Sequence, residues 1–207
     1  MLRYLSRTTV RNMNVLVRVD FNVPISGIKV RDDFRVRAAL PTIRKLLRSG
    51  NRIILLSHHS EKGRSLKPLA GRLGKILGLR VVFVKKPFAA KFWQRGFDEK
   101  IFLVENLRFW PGETKEDMNF ARQLARLGSF FVNDAFGAAH RRAASLTLLP
   151  KLLPSCLGLL FEKELRQLKK VAMKPRRPLV AIFGGAKLET KLPLLKRFIR
   201  LADKVAV

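Results

Sequence analysis

One alternation narrows the fold of this chain more than any other feature. Short apolar runs at residues 15–19 (VLVRV), 53–56 (IILL), 81–84 (VVFV), 101–104 (IFLV) and 130–132 (FFV) take turns with longer amphipathic stretches at 34–48, 66–77 and 115–127. Runs without strict polar alternation are covered on both faces, as strands of parallel sheets are. Repeated strand–helix–strand order points the same way. Gly50, Gly78 and Gly128 close the three helical stretches, and Pro41 marks a helix start or a break. The expected fold class is α/β, with a parallel-sheet, three-layer, Rossmann-like N-terminal domain.

A second unit follows. Residues 159–173 read as a long amphipathic helix that ends at the run KPRRP. A strand at 179–183 is turned by Gly184-Gly185 into a helix from about 187 to 201, and another strand begins at 205–207. One such step cannot bury both faces of a sheet, so these residues are expected to open a second α/β domain. The expected boundaries are 1–157 for the first domain, 158–175 for a joining helix and 176–207 for the incomplete start of the second. Cys156, the single cysteine, reads as packing in a helix-entry segment and permits no intrachain disulfide. No apolar run approaches the roughly 20 residues of a membrane span. The opening MLRYLSR lacks a secretory h-region. A cytoplasmic monomer, with no membrane association, is expected.

The 43 Lys and Arg against 15 Asp and Glu give a net charge of +28. Such an excess attracts polyanions, and nucleic acid heads that list. The basic residues are nevertheless spread along the chain, without a basic tail, zinc-finger spacing or basic zipper. A diffuse basic surface on an ordinary enzyme is the plainer alternative.

Ligands of open α/β sheets sit beyond the carboxyl ends of the strands. The polar residues that follow the predicted strands are Asp20 and Asn22, then Ser57 and His58, then Glu105, Asn106 and Arg108, then Asn133, Asp134, His140 and Arg141; Arg35 precedes the first helix. Arginine offers paired donors to carboxylate and phosphate. Three arginines with a His and an Asn suit a small acid that carries both groups, and Asp20 would accept from its hydroxyl. Singly, each has a plainer reading: an Asp or Asn after a strand caps a turn, a lone Arg is solvated, a lone His is structural. Gly184-Gly185-Ala186-Lys187, with Lys191 four residues on, forms a second candidate. A glycine pair before a helix lets backbone approach a phosphate, and Lys187 and Lys191 share a helical face. It fits neither the dinucleotide nor the P-loop spacing, and a tight turn with two surface lysines explains it equally. No metal-ligand spacing is present around His58, His59 and His140.

Longer blocks of sequence resemble one family. Arg18-Val19-Asp20-Phe21-Asn22-Val23-Pro24, residues 33–43 (DFRVRAALPTI), Glu105-Asn106-Leu107-Arg108-Phe109, residues 132–141 (VNDAFGAAHR) and residues 177–187 (RPLVAIFGGAK) are similar, in family order, to segments of the phosphoglycerate kinases. The resemblance implies a glycolytic two-lobed kinase that transfers a phosphoryl group between 1,3-bisphosphoglycerate and ADP, giving 3-phosphoglycerate and ATP, with Mg²⁺. By position it implies that Asp20, Asn22, Arg35, His58, Arg108 and Arg141 hold 3-phosphoglycerate. It likewise implies that Lys187 stabilises the transferring group beside Arg35, and that Lys191 contacts nucleotide phosphates. Phosphoryl transfer asks for positioning and charge neutralisation, which these residue types supply.

The chain also departs from the family pattern. His58-His59-Ser60-Glu61-Lys62 stands where the family has His-Leu-Gly-Arg-Pro, so Glu61 is expected to repel substrate phosphate, with Lys62 or Arg64 to compensate. Ala143 replaces a second histidine, and Leu188-Glu189-Thr190 replaces a commoner Val-Ser-Asp. The chain ends before the family's adenine pocket and its Mg²⁺-binding aspartate loop. A partial chain, inactive alone, is therefore expected, with the missing lobe as a possible partner. The alternative is a degenerate basic lobe that binds nucleic acid or another polyanion without catalysis.

Overall fold

A computed structural model of the chain describes residues 2–93, 98–173, 175–184 and 192–207. The strands among them, in chain order, are β1 (Asn14–Arg18), β2 (Ile25–Ser26), β3 (Lys29–Val30), β4 (Arg52–Leu56), β5 (Val81–Val84), β6 (Ile101–Val104), β7 (Phe130–Asn133), β8 (Ser155–Leu157), β9 (Val180–Ile182) and β10 (Lys204–Ala206). The helices are α1 (Phe34–Arg48), α2 (Lys67–Leu77), α3 (Ala90–Trp93), α4 (Pro111–Thr114), α5 (Met118–Ala125), α6 (Ala144–Thr147), α7 (Leu149–Leu152), α8 (Leu159–Met173) and α9 (Leu192–Leu201). The chain divides into two compact units, Met1–Lys163 and Glu164–Val207.

The apolar runs build a six-stranded sheet in the first unit, in the order β5-β6-β4-β1-β7-β8, with every pair parallel. Side chains alternate between its faces with a period of two. Val15, Val17, Ile53, Leu55, Ile101, Leu103 and Val132 enter one apolar cluster with α1 and α2. Leu16, Ile54, Leu56, Phe102, Val104 and Phe131 enter another with α5 and α7. The fold is thus α/β, with helices on both faces of the sheet. In α1, Val36, Ala39, Leu40, Ile43 and Leu46 form the buried stripe that helical periodicity demands.

Four local readings of the sequence change. Pro41 neither starts nor breaks α1, which runs unbroken across it. Pro41 and Arg37 are both exposed, so water can satisfy the Arg37 carbonyl that proline leaves without a donor. The helix expected over 115–127 is shorter: α5 covers Met118–Ala125, and the chain turns at Glu116, whose φ is +52°, after the separate short helix α4 at Pro111–Thr114. The cause is Asp117, whose Oδ1 accepts from Phe120 N–H at 2.6 Å and caps a new helix start. Cys156 is not at a helix entry but in β8, a strand confined between Pro154 and Gly158, and its side chain is buried in the core. The β2–β3 hairpin, turned by Gly27 at φ +56°, carried no apolar run to announce it.

In the second unit β9 and β10 pair in parallel. Phe183 packs edge-on against Phe198 of α9, with ring centroids 5.8 Å apart. Asp203 joins the unit's start to β10, accepting from Arg177 Nη1 at 2.7 Å and Leu179 N–H at 2.6 Å. Val180 and Ile182 of β9 are exposed. No helix among the described residues is long and apolar enough to cross a membrane.

Candidate substrate site

The chain leaves β1 for β4 on one side and reaches β7 on the other, so the sheet's topology reverses at β1. The polar residues singled out in the sequence emerge at the carboxyl ends of these strands, where such reversals open a crevice. Several of them are braces for the crevice walls. Ser57 Oγ accepts from Phe21 N–H and donates to Val19 C=O, both at 3.0 Å, which locks the ends of β1 and β4 together. Glu105 is buried and accepts from Ser65 Oγ at 2.7 Å and from the N–H groups of Leu66 and Asn106. Asn106 Oδ1 accepts from His59 N–H and Arg108 N–H, each at 3.1 Å, and its Nδ2 donates to Arg64 C=O at 2.9 Å. One buried amide therefore fixes the loops after β4 and β6 relative to each other.

The centre of the site is a residue that sequence reasoning passed over. Arg18 is almost wholly buried at the end of β1. Its Nε donates to Ser145 Oγ at 2.9 Å, its Nη1 to Val19 C=O at 2.7 Å, and its Nη2 to His58 Nδ1 at 3.1 Å. Ser145 Oγ in turn donates to buried Glu113 Oε1 at 2.6 Å, while Glu113 Oε2 accepts from Ser145 N–H. Glu113 Oε1 lies 3.8 Å from Arg18 Nη2. Burial lowers the pKa of Arg18, and the charges of Glu113 and Asp20 oppose that fall. The signal was present in the sequence. A strand covered on both faces has no place for a charge without dedicated partners.

This network sets the state of His58. A guanidinium only donates, so His58 Nδ1 must accept and the ring proton lies on Nε2. Burial first, then the charges of Arg18, Arg108 and Arg141, push the His58 pKa down to about 3. The ring is neutral at pH 7 and presents a single N–H donor.

The six residues expected to hold a substrate gather here. Asp20 forms an ion pair with Arg35 at the start of α1, and its Oδ1 accepts from Asn22 N–H at 3.3 Å. Asn22 Oδ1 takes both the N–H and the hydroxyl of Ser60 at 2.9 Å. Arg108 and Arg141 act electrostatically on His58, on Arg18 and on each other, and neither has an ion-pair partner among the described residues. The pKa of Arg108 is lowered, first by burial and then by the charge of Arg141. Two cations that repel each other beside a neutral N–H donor make a site for an anion. Glu61, expected to oppose that anion, is paired with Arg64: Arg64 Nε donates to Oε2 at 3.0 Å and Nη2 to Oε1. Lys62 has no part in that pair.

Other candidates fall elsewhere. Asn133 Oδ1 accepts from Ala135 N–H in a local turn, and His140 is exposed. Asp134 is buried beneath the start of α8, where its Oδ1 accepts from Leu160 and Phe161 N–H at 3.0 and 3.1 Å. Burial and the neighbouring Asp134 push the Cys156 thiol up to about 12. Lys187 and Lys191 lie outside the described residues. Among the described residues no three His, Cys, Asp or Glu side chains gather in a group that could hold a metal ion.

Comparison with known proteins places these features in context. A family profile described as phosphoglycerate kinase matches residues 5–207. The chain is 43% identical over 205 residues to a phosphoglycerate kinase of Rubrobacter xylanophilus, covering 95% of this chain and 52% of the relative. It is 44% identical over 208 residues to that of Moorella thermoacetica, with the same coverages. Among solved structures, phosphoglycerate kinase from Pyrococcus horikoshii superimposes with a TM-score of 0.88 at 29% identity, and that from Coxiella burnetii with 0.84 at 32%. Each covers 99% of this chain and 54% of the solved chain. The chain spans about half the length of the curated relatives it matches.

Proposed function

The chain belongs to the phosphoglycerate kinase family, and on that premise we propose that its strand-end crevice binds 3-phosphoglycerate. In this reading it serves phosphoryl transfer between 1,3-bisphosphoglycerate and ADP. The observation that carries the proposal is the pair of arginines with no ion-pair partner among the described residues, Arg108 and Arg141, beside neutral His58. A ligand that brings both carboxylate and phosphate relieves their repulsion and takes the His58 Nε2–H. Asp20 accepts from the ligand hydroxyl. Asn22 orients the loop at Ser60, and Arg35, half-exposed and paired to Asp20, is the cation free to turn toward a transferring phosphoryl group.

Residues 1–157 are assigned to the phosphoglycerate-binding domain, 158–175 to the joining helix and 176–207 to the beginning of the nucleotide-binding domain. Lys187 and Lys191 are assigned to the transferring phosphoryl group and the nucleotide phosphates of ATP or ADP.

The test is calorimetric titration of the chain with 3-phosphoglycerate. Each charge-assisted contact is worth about 1.5–3 kcal/mol. Arg108→Ala and Arg141→Ala are therefore each expected to weaken binding by about 10- to 100-fold. Wild-type affinity in both variants would sink the proposal.

A second reading rests on charge. α9 exposes Lys196, Arg197 and Arg200, none of them ion-paired to a described acid. A polyanion binder of this kind is expected to take up duplex DNA with an affinity that falls steeply with salt. Titration at two salt concentrations decides it, and the absence of DNA binding at the lower salt removes this reading.

A further inference from the structure

The loop that links β4 to α2 carries more positive charge than it offers to the crevice. Its backbone is fixed at several points. Ser60 is held by Asn22 Oδ1. Glu61 N–H donates to His59 Nδ1 at 3.1 Å, while His59 Nε2 donates to Val23 C=O at 2.9 Å. Arg64 C=O accepts from Asn106 Nδ2, and the carboxylate of Glu105 holds Ser65 and Leu66. The side chains of Glu61 and Arg64 are engaged with each other, at a position partly open to water.

Resting on the reading of the crevice as a phosphoglycerate site, we propose that Glu61 sets its affinity by holding Arg64 in reserve, and that a phosphate dianion in the crevice draws Arg64 from Glu61 to itself. Reach permits this. A single asparagine amide spans the gap between Arg64 C=O and Arg108 N–H, and an arginine side chain is longer than that amide. Energetics permit it as well. A solvent-exposed ion pair contributes little, whereas a guanidinium on a phosphate makes paired, charge-assisted bonds. The arrangement makes occupancy depend on the ligand's charge. A dianion competes with the Glu61 carboxylate for Arg64, and a ligand without the phosphate does so poorly. Glu61 is a specificity-determining residue in this scheme and Arg64 a binding residue.

The test uses the full chain, titrated with 3-phosphoglycerate and with glycerate at low and moderate salt. Glu61→Gln is expected to tighten 3-phosphoglycerate binding by about two- to five-fold, as expected for freeing one exposed ion pair. Binding should also depend more steeply on salt, and glycerate should change little. Arg64→Ala should weaken 3-phosphoglycerate binding by a similar factor. The double variant should lose the gain of Glu61→Gln. Unchanged affinity in Glu61→Gln, an equal gain for glycerate, or a double variant as tight as Glu61→Gln overturns the proposal. If wild type binds 3-phosphoglycerate and Arg108→Ala does not, the crevice reading stands independently of this result. If no variant binds at all, both fall together.

Discussion

Glu113→Ala is expected to lower the unfolding free energy of the first unit by about 3–5 kcal/mol, the range for removing one partner of a buried ion pair. Glu113 is wholly buried and accepts from both the N–H and the hydroxyl of Ser145, at 2.9 and 2.6 Å. Its loss leaves Arg18 as a buried cation whose remaining protein contacts are Ser145, Val19 C=O and His58. Arg108 and Arg141 then add repulsion that no nearby carboxylate except Asp20 offsets. Urea unfolding followed by the fluorescence of Trp93 and Trp110 measures the effect. The paired substitution Arg18→Met with Glu113→Gln removes the orphaned charge while keeping an acceptor for Ser145 N–H, and it is expected to recover more than half of the loss. A loss below about 1 kcal/mol in Glu113→Ala would show that Arg18 is not held by Glu113. The same double variant separates stability from binding. It restores the fold but leaves His58 Nδ1 without the donor that fixes its tautomer, so its affinity for 3-phosphoglycerate should stay low.

This network also explains how far the sequence could be read. The strands at the middle of the sheet were legible because VLV, IILL and IFLV carry apolar side chains to both faces, and only a parallel sheet between two helical layers buries both. β8 was not legible, because three residues between a proline and a glycine carry no periodicity. Its place is set by pairing with β7 rather than by its own composition. The start of α5 at Met118, rather than at 115, was hidden for a related reason: one capping carboxylate, Asp117, sets where the helix begins within a continuous helical pattern.

In the site, residues at strand ends could be listed from topology alone, but their division of labour could not. Ser57, Glu105 and Asn106 satisfy backbone donors and acceptors of neighbouring loops. That role depends on which loops are adjacent, a property of strand order. Glu61 was expected to oppose the anion with Lys62 or Arg64 to compensate, and which of the two cations it meets is settled only by the fold of the loop, which pairs it with Arg64. Arg18 was the most informative residue overlooked, since its presence in a buried strand already required an acid and a neutral acceptor elsewhere in the chain.

The other large effect concerns Asp134, and its sign runs against the usual one for a carboxylate. Asp134 is fully buried, and its Oδ2 has no hydrogen-bond partner among the described residues. Burial raises its pKa from the ordinary 3.8 to about 6, while Thr42 and the N–H groups of Phe161 and Leu160 pull the other way. Thr42 Oγ1 also accepts from Leu159 N–H, so α1, β7 and the first turn of α8 meet at this carboxylate. Cys156 is the titratable side chain on β8 whose ionisation responds to it. Gly158 leaves no room for relief, because a Cβ there would lie 2.1 Å from Asp134 Oδ1. The folded chain therefore holds a proton on Asp134 more tightly than the unfolded chain does. The stability this group contributes is fully present below about pH 4 and is lost as pH rises through about 6, for a total of about 3 kcal/mol. Asp134→Asn keeps an acceptor for the two N–H groups without the titration. The difference in unfolding free energy, wild type minus Asp134→Asn, is expected to fall by about 3 kcal/mol between pH 4 and pH 7 and to flatten above pH 7. Taking the difference removes the pH dependence that a chain of net charge +28 has in common with its variant. A difference that stays level across that interval would mean that Asp134 titrates alike in the folded and unfolded chains, and one that rises with pH would mean that the folded chain favours the carboxylate. The unpartnered oxygen of Asp134 would then have to be solvated.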